Sequence, residues 1–472
     1  MAESQQANSN RIPPKVFGAI IATGLMSFCG VIIETSMNIT FPTLMREFSI
    51  TTSTVQWMTT IYLLIVAVII PLSAILKESF TLKKLFGTAI TLFICGVIVD
   101  MLAPKFGFLL LGRALQGCGT GIALPLMFNI ILEQVPPAKT GVMMGFGNLI
   151  TGIAPALGPT FGGIVVNSLG WRWIFVFLLP LLLIALILGL ACIQQKSAVR
   201  FTRVDPVSFI AIVMLFAGLI YGFNSLSACG LVSFQVLGSW LFGLVGLGLL
   251  IWRSLRIDRP IINVRLFKNL PFSGHVLGFF LLQMVSLGNA FLLPNYIQLV
   301  NGNSALTAGL LVLPAGVAGA VCAPFGGRIL DRFGARKPIL IGTACCLAAN
   351  LLFAVLSLHL SNTVLVWIYI LYMGGMGLNM GNIMTSALRS IPQDQSAQGN
   401  AILNTLQQFA GAAGTSITAA IVALSQKNSA AMAVSTAQGT QHAYWVLAVF
   451  CALIFLVFFK VVGGKDGEKT QA

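Results

Sequence analysis

The sequence predicts an all-α membrane protein of fourteen transmembrane helices, arranged as two six-helix bundles with an inserted helix pair. Three observations predict it. Apolar residues make up 57% of the 472 residues and charged residues only 8%, against about 25% charged in soluble domains. Apolar runs of about 20 residues, the length that crosses a ~30 Å hydrocarbon core, recur along the whole chain. The basic residues gather in alternate connections between those runs, as expected where Lys and Arg stay on the cytoplasmic side.

The first six runs are 16–41, 55–76, 85–103, 107–128, 140–166 and 171–193. Two more follow at 206–223 and 232–252, and the last six are 272–299, 305–329, 338–358, 364–387, 399–424 and 442–462. With a cytoplasmic N-terminus, the inner connections hold Lys77/Lys83/Lys84, Lys196/Arg200/Arg203 and Arg253/Arg256/Arg259/Arg265/Lys268. Arg328/Arg332/Arg336/Lys337 and the tail residues Lys460/Lys465/Lys469 fall on the same side, leaving only Arg46, Lys105, Arg172 and Lys427 outside. An odd number of spans would destroy this asymmetry, so both termini are expected inside.

This divides the chain into a cytoplasmic tail (1–15), an N-terminal six-helix bundle (16–193), an inserted two-helix segment with flanking basic loops (194–270), a C-terminal six-helix bundle (271–462) and a second tail (463–472). A basic turn follows the second helix of each half, PLSAILKESFTLKKLF from Pro71 and APFGGRILDRFGARKPIL from Ala323. Repeated halves around a midplane site are a transporter architecture.

Other classes are excluded by the same composition. The net charge of +15 sits in short loops, where it orients spans, so no nucleic-acid partner is expected. Nine cysteines show no paired spacing, and His275, His359 and His442 neighbour no other ligand type. No metal site is therefore expected, and no Ser/His/Asp or Cys/His cluster suggests an enzyme. The polar N-terminus, up to Arg11 and Lys15, runs straight into a long span without a small-residue cleavage site, so no signal peptide is expected.

Within this apolar frame a few polar residues stand out. Glu34 lies in the first span, where an ionised carboxylate costs roughly 3 kcal/mol or more, so it faces a protein interior or a wet cavity. A carboxyl placed there can take up a proton on one side of a membrane and release it on the other. Asn38 is i+4 from Glu34 and shares its helix face. In span four, Arg113, Gln116, Gly117 and Thr120 form one polar stripe, and Arg113 needs a partner or water inside the bilayer. A hydrogen bond from Arg113 to Glu34 would bias proton uptake there. Asp100, near the outer end of span three, is the second protonatable candidate.

In span five, Gly145, Gly152, Gly158, Gly162 and Gly163 permit close helix approach, while Pro155 and Pro159 remove backbone donors and permit bending. After span ten, Gly327, Asp331, Arg332, Gly334 and Arg336 form a tight charged turn, in which Asp331 can pair with Arg332, Arg336 or helix ends. Candidate cavity-lining groups are Asn38, Gln56, Trp57, Tyr62, Gln116, Asn148, Gln283, Asn295, Tyr296, Asn404 and Gln407. Each of these can equally join helices by hydrogen bonds.

Taken together, these segments resemble the major facilitator superfamily, specifically its fourteen-helix drug:proton antiporter subfamily. ETSMNITFP (Glu34–Pro42) is similar to that subfamily's acid-x-T-x-x-N-x-x-x-P segment, with Glu where Asp is usual. LLLGRALQGCGTG (Leu109–Gly121) matches R-x-x-Q-G. APALGPTFGG (Ala154–Gly163), followed by WRWIF, is similar to the antiporter motif G-x-x-x-G-P-x-x-G-G, with Ala154 at the leading glycine. GGRILDRFGARK (Gly326–Lys337) matches the cytoplasmic G-x-x-x-D-R-x-G-x-R-K loop. The first-half counterpart is degraded: Glu78–Ser79 replaces Asp-Arg, and Thr81 replaces the glycine.

The resemblance implies the major-facilitator fold and a proton-coupled antiporter that exports amphipathic, often cationic, organic compounds by alternating access. It implies no cofactor, the proton gradient being the energy source, and a place in a bacterial cell membrane. Small-molecule substrates, protons and the lipid bilayer are the expected partners, and the sequence names no accessory protein. Export of an endogenous metabolite, amino acid or lipid is a second reading, since the same motifs serve those cargoes. A sensor or scaffold that no longer transports is a third, against which Glu34, Arg113 and the span-five motif together argue.

Overall fold

The computed structural model describes residues 12–50, 52–199, 204–230, 232–258, 260–426 and 432–462. Arg11, Arg200, Arg203, Arg259, Lys427, Lys465 and Lys469 lie outside them, as do the side chains of Asn38, Gln56, Asn148 and Pro159. Every regular element among the described residues is helical. The chain divides into two compact units, Met1–Asp205 and Pro206–Ala472.

The first unit holds α1 (Pro14–Ile39), a short α2 (Phe41–Phe48), α3 (Thr52–Ser79), α4 (Leu82–Met101), α5 (Phe106–Gln134), α6 (Thr140–Ser168) and α7 (Arg172–Cys192). The second holds α8 (Pro206–Cys229), α9 (Phe234–Arg256), α10 (Leu270–Leu299), α11 (Ala305–Phe333), α12 (Arg336–Leu356), α13 (Asn362–Arg389), α14 (Ser396–Gln426) and α15 (Met432–Val461). Apart from α2, these are fourteen helices of twenty residues or more. Twelve are long and apolar enough to cross a membrane. The other two are α3, whose apolar stretch is Trp57–Ser73, and α6, 29 residues long.

Short polar residues start many of these helices. Thr81, Ser233, Asn269, Ser304 and Ser361 accept hydrogen bonds from backbone N–H groups in the first turns of α4, α9, α10, α11 and α13, satisfying donors that a helix start leaves open. Thr81, which stands where a glycine was expected, is thus an N-cap. The α11–α12 turn does use its glycine: Gly334 has φ +80°, a conformation cheap only without a Cβ.

Two boundaries differ from those expected. The first span stops at Ile39 rather than 41, and Phe41–Phe48 forms the separate α2, whose sequence FPTLMREF carries both apolar and charged residues. The last helix begins at Met432, ten residues before the expected 442. Its first turns are too polar to read as a span, but small residues let them pack. A Cβ on Gly439 would lie 2.8 Å from Val422 Cα in α14, and Gln426 donates to Thr436 Oγ1 at 2.9 Å.

In the first unit α1 packs on α5, α6 and α7, and α5 is flanked by α3 and α4. This places α5 at the core, where Arg113, Gln116, Thr120 and the run Gly121–Ile131 are buried. In the second unit α8 packs against α9 and α14, with the rings of Phe216 and Phe223 6.4 and 5.7 Å from that of Phe409. Leu241, Val245 and Trp252 of α9 are exposed, as befits a helix facing hydrocarbon.

Candidate functional site

The first unit gathers five of the sequence candidates from four helices. Arg113 is fully buried on α5. Its Nε donates to Met58 O of α3 at 3.3 Å, and its Nη1 donates to Gln116 Oε1 at 2.9 Å. The guanidinium carbon lies 4.2 Å from the centre of the Tyr62 ring, a cation–π contact of the kind that gains strength when desolvated. Gln116 Nε2 in turn donates to Asp100 Oδ2 on α4 at 2.8 Å. A buried polar line therefore runs Asp100–Gln116–Arg113–Tyr62 across α4, α5 and α3.

Tyr62 extends the line to α1. Its hydroxyl donates to Thr120 Oγ1 at 3.2 Å, and both groups crowd Gly30. A Cβ on Gly30 would lie 2.9 Å from Thr120 Oγ1 and 3.2 Å from Tyr62 Oη. Glu34 is one turn further along the same face of α1, half-buried, and within electrostatic range of Arg113. The anticipated Arg113–Glu34 hydrogen bond is not formed; the two interact through space, while Arg113 Nε and Nη1 donate to Met58 and Gln116.

Asp100, near the outer end of span three, is fully buried, and a Cβ on Gly112 would overlap its carboxylate. Gly96 and Gly112 make this possible, since each backbone approaches the other's carbonyl closely. Sequence reasoning missed both, although isolated glycines flanking Asp100 and Arg113 were the available signal.

Two span-five motif glycines belong to the same region. Ser36, two residues after Glu34, donates to Gly158 O at 2.8 Å. A Cβ on Gly158 would overlap Thr35, and one on Gly162 would lie 2.9 Å from Ser36 Cα. Gly152 and Gly163 differ from expectation: a Cβ at either would meet nothing within 4 Å, because they face away from α1. Helix α6 runs unbroken through Pro155 and Pro159. The WRWIF segment opens α7, where Trp171 Nε1 and Arg172 Nη1 donate to the Glu47 carboxylate of α2 at 2.6 and 2.8 Å.

The charged turn lies in the second unit. Asp331 pairs with Arg389 at the end of α13, 3.4 Å apart. The Arg332 and Arg336 guanidiniums lie over the rings of Phe333 and Phe459, and Gly327 is buried. In the first unit Lys77 pairs with Glu133 at 2.5 Å.

The remaining cavity candidates are dispersed. Trp57 is exposed, and Gln283 and Gln407 are half-buried. Asn295 donates to Phe291 O at 2.8 Å and Asn404 to Asn400 O at 2.9 Å, each within its own helix. Buried Tyr296 donates to Ser357 O at 2.8 Å and accepts from Leu360 N at 3.2 Å, joining α10 to the end of α12. Among the described residues no three His, Cys, Asp or Glu side chains are grouped as metal ligands would be.

Comparisons with known proteins identify the family. The chain is 36% identical over 458 residues to the lincomycin resistance protein LmrB of Bacillus subtilis (strain 168), covering 94% of this chain and 95% of that one. It is 26% identical to the multidrug resistance protein Stp of Mycobacterium tuberculosis (strain CDC 1551 / Oshkosh), covering 86% and 75%. Its fold matches the proton:xylose symporter XylE with a TM-score of 0.66 at 16% identity, covering 97% and 98%. It also matches the human organic anion transporter MFSD10 with a TM-score of 0.65 at 14% identity, covering 94% and 100%. The family model described as Major Facilitator Superfamily matches residues 23–415. The chain belongs to the major facilitator superfamily and is a membrane transporter rather than an enzyme.

Proposed function

We propose that this transporter is a proton-coupled antiporter that exports amphipathic, cationic organic compounds, with Glu34 as the proton carrier. One observation carries the reading: Glu34 lies on α1 within electrostatic range of the buried Arg113, itself fixed by Met58 and Gln116. Proton uptake by Glu34 from outside neutralises the site and favours release of a cationic cargo. Proton loss towards the cytoplasm restores a negative site for the next one. Each charge moved inward gains about 2.3 kcal/mol per 100 mV of membrane potential, so no nucleotide or cofactor is needed.

The names of the relatives support the export direction and set the first compounds to test. In this reading the chain crosses a bacterial cell membrane fourteen times, with both termini in the cytoplasm. The halves 16–193 and 271–462 act as the two alternating bundles, and 194–270 is an inserted segment. Tyr62, Gln116 and the half-buried polar groups contribute to the cargo path.

Purified protein in proteoliposomes, with an imposed pH gradient and a panel of ethidium, lincomycin and amino acids, tests the reading. Gradient-driven movement of ethidium or lincomycin that is lost in Glu34→Gln supports it. Movement of amino acids alone would transfer the chain to metabolite export. Transport of any cargo at equal rates with and without the gradient would remove proton coupling.

A further inference from the structure

The crossing between α4 and α5 is built a second time in this chain. In the first unit a Cβ on Gly96 would lie 2.6 Å from Gly112 O, and one on Gly112 would lie 2.8 Å from Gly96 O. In the second unit a Cβ on Gly342 of α12 would lie 2.7 Å from Gly375 O of α13, and one on Gly375 would lie 2.6 Å from Gly342 O. The neighbours match too. Gln116, four residues after Gly112, lies against Gly96, and Asn379, four after Gly375, lies against Gly342. Asp100, four after Gly96, lies against Gly112, and Cys346, four after Gly342, lies against Gly375. The register therefore equates Asp100 with Cys346, Arg113 with Met376 and Gln116 with Asn379.

Both crossings are buried and both close on paired glycines, yet only the first holds charges. A helix pair of this geometry thus forms without an acid, and Asp100 is not needed to hold α4 on α5. What sets the first crossing apart is Arg113. The Gln116 amide can accept from Arg113 only through its oxygen, which leaves its NH2 to find an acceptor. Asp100 Oδ2 is that acceptor, and it fixes which way the amide points. Asp100 Oδ1 and Arg113 Nη2 are both buried without a hydrogen-bond partner among the described residues, so this network has capacity to rearrange.

We propose that Asp100 is a positioning residue for the Glu34 proton site, orienting Arg113 through Gln116 and sharing the Arg113 charge that would otherwise act on Glu34 alone. The proposal rests on Glu34 being the proton carrier. The charged groups around Asp100 are few. Arg113 faces it from α5, and Arg172 at the start of α7 donates to Ala103 O, three residues beyond it. Glu34 of α1 and Tyr62 of α3 interact with it through Arg113, whose charge acts on all three.

The test is an infrared pH titration of carboxyl bands in the purified full-length protein, with no cargo present. Glu34→Gln identifies the Glu34 band by its loss. Asp100→Cys copies the residue of the second crossing, and Asp100→Asn keeps the size of the acid. Both are expected to unfold at the wild-type temperature, because the crossing does not depend on the acid. Both should move the Glu34 midpoint towards acid by about one pH unit, since a cation no longer shared favours the ionised carboxyl more strongly. A Glu34 band that stays at its wild-type midpoint in both variants would overturn the inference while leaving the carrier reading intact. Unchanged bands in Glu34→Gln would overturn both. A lower unfolding temperature with an unmoved midpoint would make Asp100 an ordinary packing residue.

Discussion

Ser36 Oγ donates to the backbone carbonyl of Gly158 at 2.8 Å, tying the helix that carries Glu34 to the glycine-rich face of α6. The contact is close because Gly158 and Gly162 have no side chains. At those two positions a Cβ would run into Thr35 and Ser36, the residues that follow Glu34. The motif is therefore shaped to the segment of α1 that holds the candidate proton carrier, and any movement of α6 is felt there.

Gly158→Leu and Gly162→Leu should each stop cargo movement while leaving the protein in the membrane, because a leucine forces α1 and α6 apart. Gly163→Leu is the control, with nothing within 4 Å of its Cβ, and should transport at near wild-type rates. Labelling of cysteines placed at each end of the first unit should be frozen to one side in the first two variants only. Normal switching in all three would reduce the motif to ordinary helix packing.

Glu34→Gln should abolish gradient-driven efflux, because the amide resembles the protonated acid but cannot release a proton. Glu34→Asp should retain part of the activity, since it keeps a carboxyl on the same helix face. Efflux and pH-gradient dissipation measured together decide the matter. Coupled transport at the wild-type rate in the Gln variant would take Glu34 out of the coupling role.

Much of this arrangement was legible because a polar residue in an apolar span has few alternatives. Glu34, Arg113 and Gln116 stand out by composition, and the i, i+3 spacing of Arg113 and Gln116 placed them on one polar stripe, although the bond between them was not anticipated. The burial of Asp100 was not legible, because position along a span does not show which neighbour closes over a residue; Gly112 does so here. The start of α15 was missed for a related reason. Polar residues that pack through Gly439 lower hydropathy without breaking the helix. Pairings between distant segments, such as Asp331 with Arg389, depend on which helix ends meet, and spacing along one helix carries no trace of that.

Arg113→Ala should impair transport more than Arg113→Lys. Alanine removes the hydrogen bonds to Met58 and Gln116 and the contact with Tyr62, whereas lysine keeps the charge but loses the planar fork. Hydrogen bonds to a charged group contribute about 1.5–3 kcal/mol each, so a loss of tenfold or more, on the order of those energies, is expected for alanine. The comparison requires folded, purified protein, with thermal unfolding recorded alongside efflux. If both variants pump normally, Arg113 has no part in coupling.

Near their ends, α3 and α5 of the first unit and α11 and α13 of the second are each joined by an ion pair, with opposite polarity in the two units. In the first, Lys77 of α3 meets Glu133 of α5; in the second, Asp331 of α11 meets Arg389 of α13. The first unit, which lacks the Asp-Arg of the charged turn, thus has a pair of its own one residue earlier. Arg389 is exposed, and such pairs contribute only about 0–1 kcal/mol. Asp331→Asn should therefore slow efflux by no more than about fivefold, the factor to which ~1 kcal/mol corresponds. The double exchange Asp331→Arg with Arg389→Asp should recover much of the loss, because it reproduces the polarity already present between α3 and α5. The pH midpoint of efflux should stay at its wild-type value in both, as neither residue belongs to the unit that holds Glu34. Efflux rate against pH for the single and double variants checks this, and a moved midpoint, rather than a lower plateau, would place Asp331 in the proton route.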